Sequence, residues 1–280
     1  MTDNYLIGIN FLHSDTSASI FKNNELIAAA EEERFVRIKH TSNFPENAIK
    51  YCLSVANINI SQVNIISVNS NPIQSLGRKI LFTLKNPKSF SLVCSSLNNM
   101  RKKISLKKLI QNLDNKNNFN GKIEYIDHHE SHISSSLYFS NFNECVNLSL
   151  DGFGDFSSSA WGTFKNNKNI IDERVFFPHS LGIFYQALTQ FLGFKNYGDE
   201  YKVMGLSSYG KPRFIDEISK IVYSTTNGFE LNLKYFEHHK KNIIKKNTNG
   251  QLEYDNLYSK ELINLLGKER NPNDIITDKH

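Results

Sequence analysis

An α/β protein with one topological pattern used twice is what this sequence predicts, on two observations. Short runs of alternating apolar residues, separated by polar turns, come in sets of three, and each set is followed by a segment with helical spacing. The order hairpin, hairpin, edge strand, helix thus occurs in both halves, although the halves share little sequence.

The first set is YLIGINF, SASIF and ELIAAAE, read as three consecutive strands. Pro45, after Ser42 or Asn43 as the cap, opens ENAIKYCLSVANI, where Ile49, Cys52, Leu53 and Ala56 have helical spacing. Gln62 to Val68 and Ile123 to Ile126 read as further strands. A helix follows in DHHESHISSSLYF, with Ile133, Leu137 and Tyr138 on its apolar face. The second set is CVNLSLD, SSSAWGTF and IIDERVFF, followed by the amphipathic LGIFYQALTQFLGF. Asn-rich stretches such as NLDNKNNFN read as loops.

Composition sets the class. With 280 residues, 39% hydrophobic and 12% aromatic, the chain is long enough to bury a core as one large or two modest domains. Cys52, Cys94 and Cys145 show no CxxC spacing and cannot all pair among themselves, which points to buried thiols in a reducing compartment. The N-terminus has no basic region followed by a long apolar stretch, and no run reaches the length of a membrane span. A cytoplasmic protein without membrane partners is expected.

Charge is uneven. No Asp or Glu occurs from Asn47 to Leu113 while ten Lys or Arg do, so a net charge of +5 conceals −5 outside this tract. Leu97, Met100, Ile104, Leu109 and Leu113 trace a helical stripe with lysines opposite, the pattern of a surface helix with a solvated basic face. Aromatic interleaving is nearly absent there, which argues against nucleic acid as a partner.

Four phrases carry candidate chemistry. In YIDHHESHISSSLYF, His128 and His132 are four apart, on one helical face, and could grip a divalent ion with room left for an oxygen ligand and substrate. The spacing equally allows one histidine to pack and the others to be solvated. The loops Phe11 to Ser17 and Asp151 to Ser157 occupy equivalent places between strands. Gly152 and Gly154 permit close backbone approach to phosphate, and Asp151 or Asp155 could position a metal or water, while DGFGD also suits a plain hairpin turn. In NYGDEYKVMGL, read as a loop, Lys202 could neutralise phosphate, or the charges could be solvated around a helix-capping Gly205.

Taken together and in order, GINFLHSDTSASIF, AAAEEERFVRIKHTSNFP, DHHESHISSSLYFS, LSLDGFGDFSSSAWG and NYGDEYKVMGLSSYGKP resemble the N-terminal part of the O-carbamoyltransferases that modify antibiotics and nodulation factors. The resemblance covers residues 5 to 212. It implies a duplicated actin/hexokinase-like α/β fold, related to tRNA threonylcarbamoyl-transferase metalloproteins. Residues 1–140 would form the first lobe, with a basic helical insertion at 73–114, and 141–280 an incomplete second lobe. It further implies a divalent metal, iron or zinc, on His128 and His132. ATP and carbamoyl phosphate would give a carbamoyl-adenylate, whose carbamoyl group passes to the hydroxyl of a small molecule. His13, Arg34 and Lys39 would line the reacting cleft, and Asp151, Gly152, Gly154 and Lys202 would approach nucleotide phosphate.

The chain departs from this family in length. The later acidic metal ligand, most adenine contacts and the carbamoyl-phosphate domain are expected in a C-terminal half, in cis or as a separate chain. Without it, LGIFYQALTQFLGF would leave apolar surface partly bare and the 280 residues would not turn over alone. Two alternatives remain: a non-catalytic, partner-dependent binding module, and a tRNA threonylcarbamoyl-transferase-like protein, to which EEERFVRIKH and KVMGLSSYG fit less well.

Overall fold

A computed structural model describes residues 3–11, 13–71, 73–86, 106–113, 118–249, 252–277 and 280. The chain divides into two compact units, one of residues 1–76, 93–131 and 246–252, the other of 77–92, 132–245 and 253–280. Each has its own core.

In the first unit, β1 (Tyr5–Asn10), β2 (Ser17–Lys22) and β3 (Glu25–Glu31) form an antiparallel meander. Asn23 and Asn24 make its second turn with φ of 50° and 72°, the double left-handed geometry that two-residue hairpins prefer and Asn tolerates. Strands β4 (Ile65–Val68) and β5 (Lys122–Tyr125) add in parallel beyond β1, giving the order β3-β2-β1-β4-β5. One face is apolar. Ile7 pairs with Ile20 on one side and Ile66 on the other, all fully buried, each contributing about 1.5–3 kcal/mol by its removal from water. Helix α2 (Glu46–Ala56) lays Ala48, Ile49 and Cys52 on that face. The opposite face carries Gly8, Asn10, Ser17, Ser19 and Ser67, small and polar.

The start of α2 corrects the expected cap. Neither Ser42 nor Asn43 serves. The buried carboxylate of Glu32, just before the short helix α1 (Glu33–Val36), accepts from the backbone of Asn47 at 3.3 Å and of Ala48 at 2.9 Å. Strand β4 is shorter than expected because Ile60–Gln62 is a single 3-10 turn.

Of the basic tract, helices α3 (Leu76–Lys85) and α4 (Leu106–Gln111) are described. Leu106 and Ile110 are buried in the first core with Leu109 and Leu113 packed beside them, while Lys107 and Lys108 face solvent. Leu97, Met100, Ile104 and Cys94 lie outside the described residues.

In the second unit, β6 (Cys145–Gly154), β7 (Ser157–Lys165) and β8 (Lys168–Phe176) repeat the antiparallel meander, with Asn166 and Asn167 turning the second hairpin at φ of 52° and 58°. Helix α5 (His128–Leu137) starts in the first unit and ends in the second, where Ile133 and Leu137 pack on Ala160 and Phe164. Tyr138 lies past the helix end and is exposed.

Helix α6 (Leu181–Phe191) is not bare as expected. It buries Ile183, Ala187 and Phe191 against Leu231, Phe236, Leu257 and Leu262, supplied by residues 228–266. An exposed apolar row lies on β6: Val146, Leu148 and Leu150 point outward, 78%, 60% and 55% exposed, while Asn147 and Ser149 between them point inward.

Two loops of the sequence reading are regular structure. Asp151 to Gly154 continue β6, and only Asp155 and Phe156 make the turn. Residues after Asp199 form helix α7 (Glu200–Ser207), so Gly205 is interior to a helix and caps nothing. Among the described residues no helix is long and apolar enough to cross a membrane.

Candidate metal centre

Strands β1, β4 and β5 run parallel, so their C-terminal ends share one edge of the sheet, the usual position of sites in such sheets. The residues just beyond these ends are His13, Asn69 and the pair Asp127–His128. Asparagines hold them. Asn10 Nδ2 donates to the carbonyls of Ser14 at 3.2 Å and Asp15 at 2.9 Å, and Asn69 Nδ2 donates to Asn10 Oδ1 at 3.0 Å. The His13 ring lies 4.8 Å from that of His128, tilted by 39°.

Asp127 fixes the start of α5. Its Oδ1 accepts from the backbone of Glu130 at 3.0 Å, an N-cap that satisfies one of the helix's unpaired donors. His128 Nδ1 lies 3.3 Å from the Asn69 carbonyl oxygen. A carbonyl can only accept, so Nδ1 carries the proton and Nε2 keeps its lone pair for an electrophile.

One helical turn on, His132 Nε2 lies 3.8 Å from Asp151 Oδ2 on β6. His128, His132 and Asp151 form a group able to hold one metal ion, the histidine ring nitrogens lying within 4.8 Å of each other. Two imidazoles and one carboxylate are a donor set that suits zinc or non-haem iron and leaves coordination positions open. The residues fit the metal. His132 is half exposed, which gives the site access to solvent. His129 is fully buried with its ring edge-on to His128 at 5.6 Å, and it is outside the group.

Asp151 is positioned from the second unit's helix α6. Asp151 Oδ1 accepts from its neighbour Gly152 N at 2.6 Å, and Ser180 Oγ lies 3.1 Å from the Asp151 carbonyl and 2.7 Å from that of Gly152. Ser180 also caps α6, accepting from Ile183 N. A Cβ on Gly182 would sit 2.9 Å from the Asp151 oxygen and from Gly152 backbone atoms, so this close approach requires glycine.

The other expected residues are distributed differently. Arg34 is exposed on α1, 3.2 Å from Glu31. With Glu31 it edges an open cavity of about 870 Å³ on the small-residue face of the first sheet, lined also by Asn10, Ser19, Ser67 and Asn69. Lys39 is exposed in the segment after α1. Gly154 is buried and pairs with Ser157, whereas Gly152 has open space where a Cβ would be. Lys202, on α7, is held by Asp199 at 2.6 Å, which raises its pKa.

Asn69, Asp127, Glu32 and Ser180 were missed from sequence. For Asp127 a signal existed, the D-x-x-E spacing to Glu130 ahead of a helix. The other three act on residues 15 to 59 positions away.

Residues 5–276 match the family described as Carbamoyltransferase N-terminus. The chain belongs to that family. An uncharacterized protein of Synechocystis is 32% identical over 243 residues, covering 84% of this chain and 40% of that protein. Nodulation protein NolNO of Sinorhizobium fredii is 31% identical over 204 residues, covering 72% of this chain and 28% of that protein. This carbamoyltransferase-family chain therefore spans well under half the length of these relatives. Among solved structures, YeaZ from Pseudomonas aeruginosa is 9% identical with a TM-score of 0.35 over 62% of this chain and 68% of that one.

Proposed function

We propose that this chain is the metal-bearing lobe pair of an O-carbamoyltransferase that moves a carbamoyl group from carbamoyl-adenylate, made from ATP and carbamoyl phosphate, to the hydroxyl of a small molecule. The observation that carries the reading is the pair His128 and His132 one turn apart, with Asp151 3.8 Å from His132, in a chain that matches the family over residues 5–276. The repeated meander, Asn-Asn turn and eleven-residue helix in each unit favour a duplicated actin-like architecture.

A divalent ion on His128, His132 and Asp151 would supply Lewis acidity toward the carbamoyl carbonyl and adenylate oxygens. Attack by the acceptor hydroxyl forms a C–O bond at the carbamoyl carbon, breaks the bond from that carbon to the phosphate oxygen, and releases AMP. His13, beside His128, is placed to take the hydroxyl proton, since an imidazole exchanges protons near neutrality. Arg34 and Lys39 supply positive charge, and the amides and hydroxyls of the cavity suit a polar acceptor. Asp151, Gly152 and Gly154 would face the nucleotide, with Gly152 offering unobstructed backbone. Lys202 would reach phosphate after leaving Asp199.

The longer relatives carry segments with no counterpart in these 280 residues, and we propose that turnover needs them in cis or as a second chain. The test uses labelled carbamoyl phosphate with ATP and Zn²⁺ or Fe²⁺. A protein extended to the relatives' length should form labelled carbamoyl-adenylate and transfer it in a His13-dependent manner, while the 280 residues alone should not. An extended protein that binds metal yet forms no carbamoylated product with a panel of hydroxylated acceptors would reject the reading.

A further inference from the structure

Within the first unit, the run Glu31-Glu32-Glu33 places three carboxylates in succession, and each has a different task. Glu31 pairs with Arg34, and Glu32 is buried against the N-terminus of α2. Glu33 turns instead toward the loop after β1. Its Oε2 accepts from His40 N at 3.1 Å, and His40 Nδ1 lies 2.8 Å from Asp15 Oδ1. One ligand atom from each of Asp15, Glu33 and His40 lies within 4.8 Å of the other two.

We propose that Asp15, Glu33 and His40 form a second divalent-cation site, separate from His128, His132 and Asp151. Two carboxylates this close repel unless positive charge lies between them. Among the described residues, no Lys or Arg makes an ion pair with either one. Asp15 pairs with the His40 imidazole and Glu33 with the His40 backbone amide, and two carboxylates with one imidazole balance a dication. The spacing suits an ion. Cis ligands of a six-coordinate cation with bonds of about 2.1 Å stand about 3 Å apart, and His40 Nδ1 and Asp15 Oδ1 are 2.8 Å apart. A bound ion would take the Nδ1 lone pair of the tautomer protonated at Nε2.

The donor set selects the class of metal. Two oxygens and one imidazole suit Mn²⁺ and its neighbours better than softer ions, and three protein ligands leave the remaining positions for water or an oxyanion. All three residues are partly exposed, so an ion can enter without unfolding the loop. The backbone supports a fixed arrangement, since Thr16 N donates to the Thr41 carbonyl at 3.2 Å and ties the Asp15 loop to the His40 segment.

The experiment is a Mn²⁺ titration of the full chain, with free Mn²⁺ read by electron paramagnetic resonance. The wild type should bind two ions per chain. His128→Ala/His132→Ala should bind one, and adding Asp15→Asn should leave none. Glu33→Gln in the wild-type background should by itself remove one ion, which keeps the test decisive if Asp15→Asn misfolds, as judged by circular dichroism. A single ion lost in His128→Ala/His132→Ala and indifferent to Asp15→Asn and Glu33→Gln would overturn the proposal. A single ion lost in Asp15→Asn but kept in His128→Ala/His132→Ala would support this site and count against the first one.

Discussion

His238 makes the second unit sensitive to acid. Its side chain is enclosed by Phe153, Phe177 and Phe236, with Nε2 donating to the Pro178 carbonyl at 2.7 Å and Nδ1 buried with no hydrogen-bond partner among the described residues. Burial pushes the imidazole down from 6.5 to about 4. Between these values the unfolded chain binds a proton that the native state refuses, so stability present at neutral pH is lost as pH falls below about 6.5. From pH 7 to pH 5 the loss from this group is about 2 kcal/mol, tending to about 3 kcal/mol below pH 4. His179 and His239, both lowered chiefly by burial, add in the same direction. Urea unfolding of wild type and His238→Gln, at pH 7 and pH 5, isolates the contribution. The variant should lose about 2 kcal/mol less than wild type over that interval. An equal pH dependence in both proteins would refute the reasoning.

Three further outcomes follow from particular contacts. Glu32→Ala leaves the first amides of α2 without their buried acceptor and should cost about 2–4 kcal/mol in urea unfolding, whereas a loss below about 0.5 kcal/mol would mean that water replaces the carboxylate. Gly182→Ala forces a Cβ against Asp151 and Gly152 and should cost about 1–3 kcal/mol while weakening Zn²⁺ binding in calorimetry, and unchanged Zn²⁺ affinity would disconnect α6 from the site. Cys52 is fully buried, with its thiol pushed up to about 11, so at pH 8 it should react with a thiol reagent only after denaturation, and native labelling at wild-type Tm would contradict that burial.

The two meanders were legible because residues such as Ile7, Ile9, Ala18 and Ile20 alternate with polar ones and because KNNE and KNNK hold Asn pairs that accept positive φ. Helix α5 was legible for the same kind of reason, as Ile133 and Leu137 repeat at helical spacing beside His128 and His132. DGFGD misled. Its composition is that of a turn, yet pairing between Gly154 and Ser157 carries the strand two residues from the reversal. Helix α7 was read as a loop because none of its residues is buried and Tyr201 and Met204 are exposed, so no apolar stripe marks it. The long-range devices were out of reach. Nothing local says that Glu32 caps a helix fourteen residues on, that the Asn69 carbonyl sets the His128 tautomer, or that Asp15 meets Glu33 and His40.

The central claim is that α5 presents one metal through His128 and His132 with Asp151, and Zn²⁺ stoichiometry of single alanine variants tests it most directly. His128→Ala and His132→Ala should each lose one bound ion per chain relative to wild type, and His129→Ala, whose ring is buried outside the group, should keep it. Equal loss in all three variants, or no loss in any, would contradict the account.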